Sequence, residues 1–283
     1  MSRTALGRRL VDRSVTIFCL ASLGLALLPL LHILGFVFGQ GMAAMTPSFF
    51  TSLPTPVGEP GGGMANAIVG TLVLIGLAGL FAVPVGVVSG VFLAEHPRSR
   101  LATAVRLAAD VLNGVPSIVI GIFAYSIVVL PMQRFSALAG GVALGMIMIP
   151  IIVRTTEELL KLVPGTLRDG ALALGATRAR AVWTVILPAA LPGLVTGILV
   201  ALARVGGETA PLLFTAFNSR YWSFDLMQPI SSLTVQVYTY AISPYDEWHQ
   251  QAWAGAAILI GAVLCFSLLA RLATRRLARM GRV

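Results

Sequence analysis

Residues 65–93 read ANAIVGTLVLIGLAGLFAVPVGVVSGVFL, without one Asp, Glu, Lys or Arg. A helix crosses the hydrocarbon core of a bilayer with about 20 apolar residues, so this run spans with room to tilt or to kink at Pro84. Working outward, further charge-free apolar runs occupy residues 14–38, 112–133, 135–153, 181–203 and 248–270. The chain is 57% hydrophobic and 11% charged. Soluble domains carry about 25% charged residues, so lipid must solvate much of this surface. These runs predict an all-α integral membrane protein with about six transmembrane helices. Residues 226–245 are also uncharged, but Pro229, Ser231, Ser232, Thr234, Gln236 and Pro244 make them too polar to span. They are expected to be extramembrane or re-entrant.

Charge placement gives an orientation. Of the 20 Lys and Arg residues, only Arg134, Arg204 and Arg220 fall outside four clusters: before the first span, between the second and third, between the fourth and fifth, and after the sixth. All four clusters lie on one side, and the positive-inside rule makes that side, with both termini, cytoplasmic. The net charge of +9 therefore reports topology and contact with the lipid bilayer, not nucleic acid. Three sections are expected. Residues 1–60 hold the cytoplasmic N-terminus, the first transmembrane helix and the start of an external loop. Residues 61–271 form a core with five transmembrane helices and a cytoplasmic loop, 154–184. Residues 272–283 form a basic cytoplasmic tail. The first apolar run is too long for a cleaved signal peptide. Cys19 and Cys265 lie in apolar runs and are expected to be packing residues.

The cytoplasmic loop is patterned. Glu157, Glu158 and Lys161 extend the fourth span by a charged turn, and Pro164-Gly165 breaks that helix. Residues 166–174 then predict a short helix with Leu167, Ala171 and Leu174 on one face, closed by a Gly175 C-cap. Such an element either docks a soluble partner or rests on lipid as an interfacial helix.

The stretch Asp169-Gly170-Ala171-Leu172-Ala173-Leu174-Gly175, with Val185, Leu187 and Pro188 downstream, resembles the EAA loop of ABC importer permeases. Gly170 departs from the pattern's alanine and weakens the helix by up to about 1 kcal/mol. Gly114-Val115-Pro116-Ser117-Ile118-Val119-Ile120-Gly121 and the run 207–216, GETAPLLFTA, resemble phosphate importer permeases, the latter those of the PstA family. Gln228-Pro229-Ile230, Ser243-Pro244 and 251–255, QAWAG, are similar to the same family. The likeness runs from about Asn66 to Leu269. It implies a type I ABC importer permease fold in a bacterial inner membrane. Asp169, Gly170, Ala171, Leu174, Gly175, Leu187 and Pro188 would then form the coupling element that enters a groove on an ATPase subunit. Implied partners are a homologous permease (PstC-like), an ATPase dimer (PstB-like) and an extracytoplasmic phosphate-binding protein (PstS-like).

The chain itself holds no ATPase motif. Lys161 is the only lysine and stands between Leu160 and Leu162, so no P-loop exists. There is no H-E-x-x-H motif, and His32, His96 and His249 are scattered. The chain is expected to be non-catalytic, with no cofactor or metal of its own, and ATP and Mg bound by the partner ATPase.

Arg204 stands near the membrane-embedded end of the fifth span, sixteen residues or about 24 Å beyond Pro188 and so in the outer half of the bilayer. An intramembrane arginine faces a cavity, a partner or a carboxylate. Glu208, at i+4, is within reach if the helix continues. Arg204, Glu208 and Thr209 are candidate pathway residues for an anion, since guanidinium matches phosphate oxygens; the resemblance implies a functionally important arginine here. The alternative is a pair that fixes helix packing. Pro116 and Ser117 are weaker pathway candidates, read either as a helix entry or as exposed N–H groups facing an anion. The residues themselves leave open a same-fold permease for molybdate, sulfate or phosphonate, and an ATP-independent secondary anion carrier.

Overall fold

The computed structural model describes residues 3–56, 59 and 61–280. It is all helical among these residues. The helices are α1 (Arg3–Gly41), α2 (Pro47–Thr51), α3 (Ala65–Glu95), α4 (Arg100–Gly114), α5 (Ser117–Ala124), α6 (Leu130–Met132), α7 (Ala137–Leu162), α8 (Gly165–Ala173), α9 (Arg178–Ala181), α10 (Leu187–Val205), α11 (Ala210–Leu213), α12 (Leu233–Ala241) and α13 (Asp246–Met280). Five continuous stretches are long and apolar enough to cross a membrane, and a bent pair makes a sixth. Of the terminal arginines, the side chains of Arg3, Arg8, Arg9, Arg271, Arg275, Arg276 and Arg279, and all of Arg282, lie outside the described residues.

The core sits between α3 and α7. Leu74, Ala78 and Ala82 of α3 meet Leu144, Met148 and Ile152 of α7, with Ala201 and Val205 of α10 alongside. Small residues set the spacing: a Cβ on Gly90 would stand 2.4 Å from the Thr156 Cβ. Membrane helices gain contact by close approach of small residues rather than by expelling water. Gly140 and Gly141 are also tight, a Cβ there standing 2.7 Å from Leu74 and 2.6 Å from Leu77, whereas Gly145 is in ordinary contact. α1 stands apart and leans on α13, with Phe36 edge-on to Trp253 at 5.3 Å. Both cysteines are exposed on this isolated chain, not packed in its interior.

The third span differs from the sequence expectation. It begins at Ser117, not at residue 112, because Leu112–Gly114 finish α4, which meets the span at 108°. Val115 precedes a proline and is therefore driven extended (ψ 131°), which ends α4. Absence of charge could not show that turn. α4 buries Ala102 and Ala109 and exposes Leu101, Leu107 and Val111, as an interfacial helix does.

Two π-turns interrupt the spans, Tyr125–Val129 in the third and Val182–Ile186 at the entrance to the fifth. Each ends immediately before a Leu-Pro pair, Leu130-Pro131 and Leu187-Pro188. Proline lacks an N–H and crowds the carbonyl four residues back, and a locally widened turn relieves both.

Residues 226–245 do not span, as their polarity predicted. They cap the end of the helices at which α10 finishes: the Ala137 and Leu138 N–H groups donate to Gln228 and Leu226 carbonyls, and Ile230 N–H to the Ala216 carbonyl. α12 is buried there through Leu233, Val235, Gln236 and Tyr240. The Thr71 hydroxyl of α3 accepts from Leu233 N–H at 2.8 Å, and Gln236 accepts from Asn218 at 2.9 Å.

Candidate functional site

Two groups of candidates lie at opposite ends of α10 and its preceding turn. At the loop end, the short helix falls at Gly165–Ala173, one residue earlier than expected. Its end is a Schellman motif. Gly175 has φ +81°, its N–H donates to the Leu172 carbonyl at 2.9 Å, and Ala176 N–H donates to the Ala171 carbonyl at 3.1 Å. Thr177 then caps α9 through Arg180 N–H.

The helix face differs from the one anticipated. Ala171 turns inward and is 9% exposed, whereas Leu174 is 92% exposed. Leu167 and Leu172 are also exposed, with Asp169 and Gly170 beside them. Ala171 thus seats the helix on this chain, and Leu167, Leu172 and Leu174 face away from it. The reason is that i, i+4, i+7 spacing holds only while a helix continues, and Leu174 is already the C-cap. Arg168 binds Glu95 of α3 and anchors the same helix. Leu187 is half-buried at the start of α10 and packs beside Leu160, Val182 and Ile186, and Pro188 is exposed.

At the other end, Arg204 lies in the last turn of α10, exposed, while Ala201, Ala203 and Val205 are buried. Its cation stands where the helix leaves carbonyls unsatisfied, which favours positive charge. The expected pairing with Glu208 does not occur: no ion pair joins them. α10 stops at Val205, so Glu208 falls beyond the helix and the i+4 relation lapses. The turn is pinned instead through its backbone, with Glu208 N–H donating to the Val205 carbonyl and the Thr234 hydroxyl donating to the Glu208 carbonyl at 3.0 Å. Thr209 leads α11, its carbonyl accepting from Leu212 and Leu213 N–H groups.

The structure brings the two sequence motifs together. α11 packs on α5, and a Cβ on Gly121 would meet Pro211 Cα at 2.6 Å. Ser117, one turn before Gly121, opens α5, with Pro116 as its N-cap residue. The segment that follows Glu208 is thereby seated on the third span.

One cluster was not foreseen. Glu157 is fully buried, and its carboxylate accepts from Arg106 (2.7 Å), Arg154 (2.9 Å) and Lys161 (2.5 Å). Arg154 also meets Asp110 at 3.1 Å. The i−3 and i+4 partners were legible on one helix, but Arg106 lies 51 residues away and no local pattern announces it. Among the described residues no group of three His, Cys, Asp or Glu residues is placed to hold a metal.

Residues 82–279 match the family described as binding-protein-dependent transport system inner membrane component. The phosphate transport system permease protein PstA of Yersinia pestis is 43% identical over 265 residues, covering 93% of this chain and 90% of the relative. That of Haemophilus influenzae is 43% identical and covers 82% and 83%. A probable PstA of Methanocaldococcus jannaschii is 36% identical, covering 89% and 90%. Among solved structures, a chain of the inward-facing MetNI methionine ABC transporter superposes with a TM-score of 0.63 at 21% identity, covering 76% of this chain and 95% of that one. A chain of a bacterial alginate ABC transporter superposes at 0.62 with 14% identity, covering 96% of each. These two establish the type I ABC importer permease fold alone. Together, the family match and the PstA relatives show that this chain belongs to the binding-protein-dependent transport permeases and, within them, to the phosphate transport permease PstA family.

Proposed function

We infer that this chain is the non-catalytic membrane subunit through which inorganic phosphate is imported at the expense of ATP hydrolysed elsewhere. The observation that carries the reading is Arg204, a guanidinium exposed and, among the described residues, without an ion pair, near the end of an apolar span. A charge held against lipid is costly, so an intramembrane arginine normally faces a partner, a cavity or water, and this face fits a second subunit with an aqueous path between them. A homologous permease fits that role, with the anion passing between the two chains. Arg204, Glu208 and Thr209 would meet the anion in the outer half, and Pro116 and Ser117 would line the path beyond. The exposed rim of α8 would enter the ATPase, which holds ATP and Mg. A binding protein delivering phosphate from outside completes the assembly.

Reconstitution with the three partner proteins supplies the test. Vesicles should take up phosphate only with ATP, and molybdate, sulfate or phosphonate should not compete at equal concentration. Uptake without the ATPase would favour a secondary carrier, and preferred uptake of another oxyanion would reassign the substrate. In the same system Leu174→Glu should reduce ATPase co-purification at least about tenfold and leave the level of this chain unchanged, because the Leu174 side chain is 92% exposed in its own fold. Retained ATPase binding would return α8 to the lipid surface.

Orientation follows from the basic clusters, with both termini in the cytoplasm. A reporter fused at the C-terminus should be active only as a cytoplasmic enzyme, and one inserted near Gly61 only outside. An external C-terminus would overturn the six-span topology.

A further inference from the structure

We propose that Arg106 and Glu157 are positioning residues that pass movement of the coupling helix to the elbow at Val115-Pro116. The proposal rests on the reading of α8 as the ATPase-coupling element. Three observations lead to it.

The first is connectivity. Glu157 lies near the end of α7, which continues through Val163-Pro164 directly into α8. Arg106 lies on α4, which continues through the 108° elbow directly into Ser117 and α5. The chain therefore has one element running from the coupling helix and another running to the pathway candidates. The Glu157 carboxylate joins them.

The second is the build of the joint. Arg106 donates to Glu157 Oε1 through both Nε (3.1 Å) and Nη2 (2.7 Å), and Nε also lies 3.4 Å from Oε2, so two donors of one planar guanidinium restrict its angle as well as its distance. Arg154 and Lys161 hold the same carboxylate from its own helix at i−3 and i+4. Gripped from both sides, the carboxylate cannot swing to follow Arg106. A displacement of the α7 end is then passed to α4 instead of being absorbed by a side-chain rotation. Asp110 holds Arg154 and adds a second bridge between the same two helices.

The third is how little else attaches α4. Its buried apolar side chains are two alanines, Ala102 and Ala109, with Val105 half-buried beside them, set against Leu93 and Val153. Leu101, Leu107 and Val111 of α4 face outward. The ionic joint therefore supplements a small apolar contact in holding α4, and α4 leads directly into α5. There Gly121 bears on Pro211 of the segment that follows Arg204.

A transmission role and a scaffold role separate in the ratio of phosphate moved to ATP hydrolysed. The full four-component complex would be reconstituted with wild-type chain, Arg106→Gln, Arg106→Lys and the Arg106→Cys/Glu157→Cys pair. Arg106→Gln should keep ATP hydrolysis per complex within about twofold and lower phosphate transported per ATP at least about tenfold. Arg106→Lys should recover part of the ratio, since it restores charge but not the two-pronged geometry. The cysteine pair should show a low ratio that a short, cleavable thiol cross-linker raises and reduction lowers again. If hydrolysis, uptake and complex level fall together at a constant ratio, the cluster is a scaffold and the proposal is overturned. An unchanged ratio in every variant overturns it too. Failure of the wild-type complex to couple uptake to ATP would instead refute the importer reading beneath it.

Discussion

Arg204→Gln is expected to lower phosphate uptake per assembled complex by at least about tenfold while complex levels stay unchanged. Hydrogen bonds to charged groups contribute about 1.5–3 kcal/mol, and 1.4 kcal/mol is a factor of ten. An anion leaving water at this point would lose both a charge and a planar donor pair. Arg204→Lys should recover only part of the rate, because an ammonium offers a point charge in place of a fork. Glu208→Gln should be milder, since that carboxylate is neither paired with Arg204 nor needed to hold the turn, which its backbone secures. The absence of an ion pair also removes the usual ground for mutual rescue. Arg204→Gln with Glu208→Gln should be as impaired as Arg204→Gln alone. Uptake per complex in all four variants decides it, and full uptake in the double variant would take Arg204 off the phosphate path.

Gly175→Pro should abolish ATP-driven uptake in a chain that still inserts. Proline fixes φ near −65°, whereas this residue sits at +81°. It also lacks the N–H that Gly175 donates to Leu172. The Schellman turn would open, and the exposed edge of α8 would lose its direction. Insertion depends on the apolar spans, which the change does not touch. Gly175→Ala keeps the N–H and meets only the left-handed backbone penalty, about 1–2 kcal/mol, so its uptake should fall between wild type and Gly175→Pro. Uptake and ATPase co-purification, each normalised to membrane level, supply the comparison. Wild-type uptake by Gly175→Pro would show that α8 has no part in coupling.

The spans were legible because apolar runs free of charge and about 20 residues long have few other uses. Gly175 was legible because a left-handed cap has a sequence signature. The errors share a cause, which is that local spacing rules assume an unbroken helix. Arg204 and Glu208 are four apart, but Gly206-Gly207 lie between them and the helix stops. Leu167, Ala171 and Leu174 keep helical spacing, but the last is already outside the helix. Residue 112 begins an uncharged run, yet Pro116 within that run turns the chain through more than a right angle. The Arg106–Glu157 contact depends on the tertiary meeting of α4 with α7, and a single sequence carries no record of it.

The π-turn at Val182–Ile186 gives the spacing between Gly175 and Leu187-Pro188 a second meaning. Each residue of a helix is about 100° of rotation. Removing one residue from this turn would scarcely shorten the span, but it would rotate everything beyond it by about that angle relative to the coupling loop. Arg204 would then face an interior neighbour in place of the open side. The interval between glycine and proline is thus an angular gauge more than a length of tether. It sets the compass bearing of the guanidinium at the far side of the membrane from a turn at the near side.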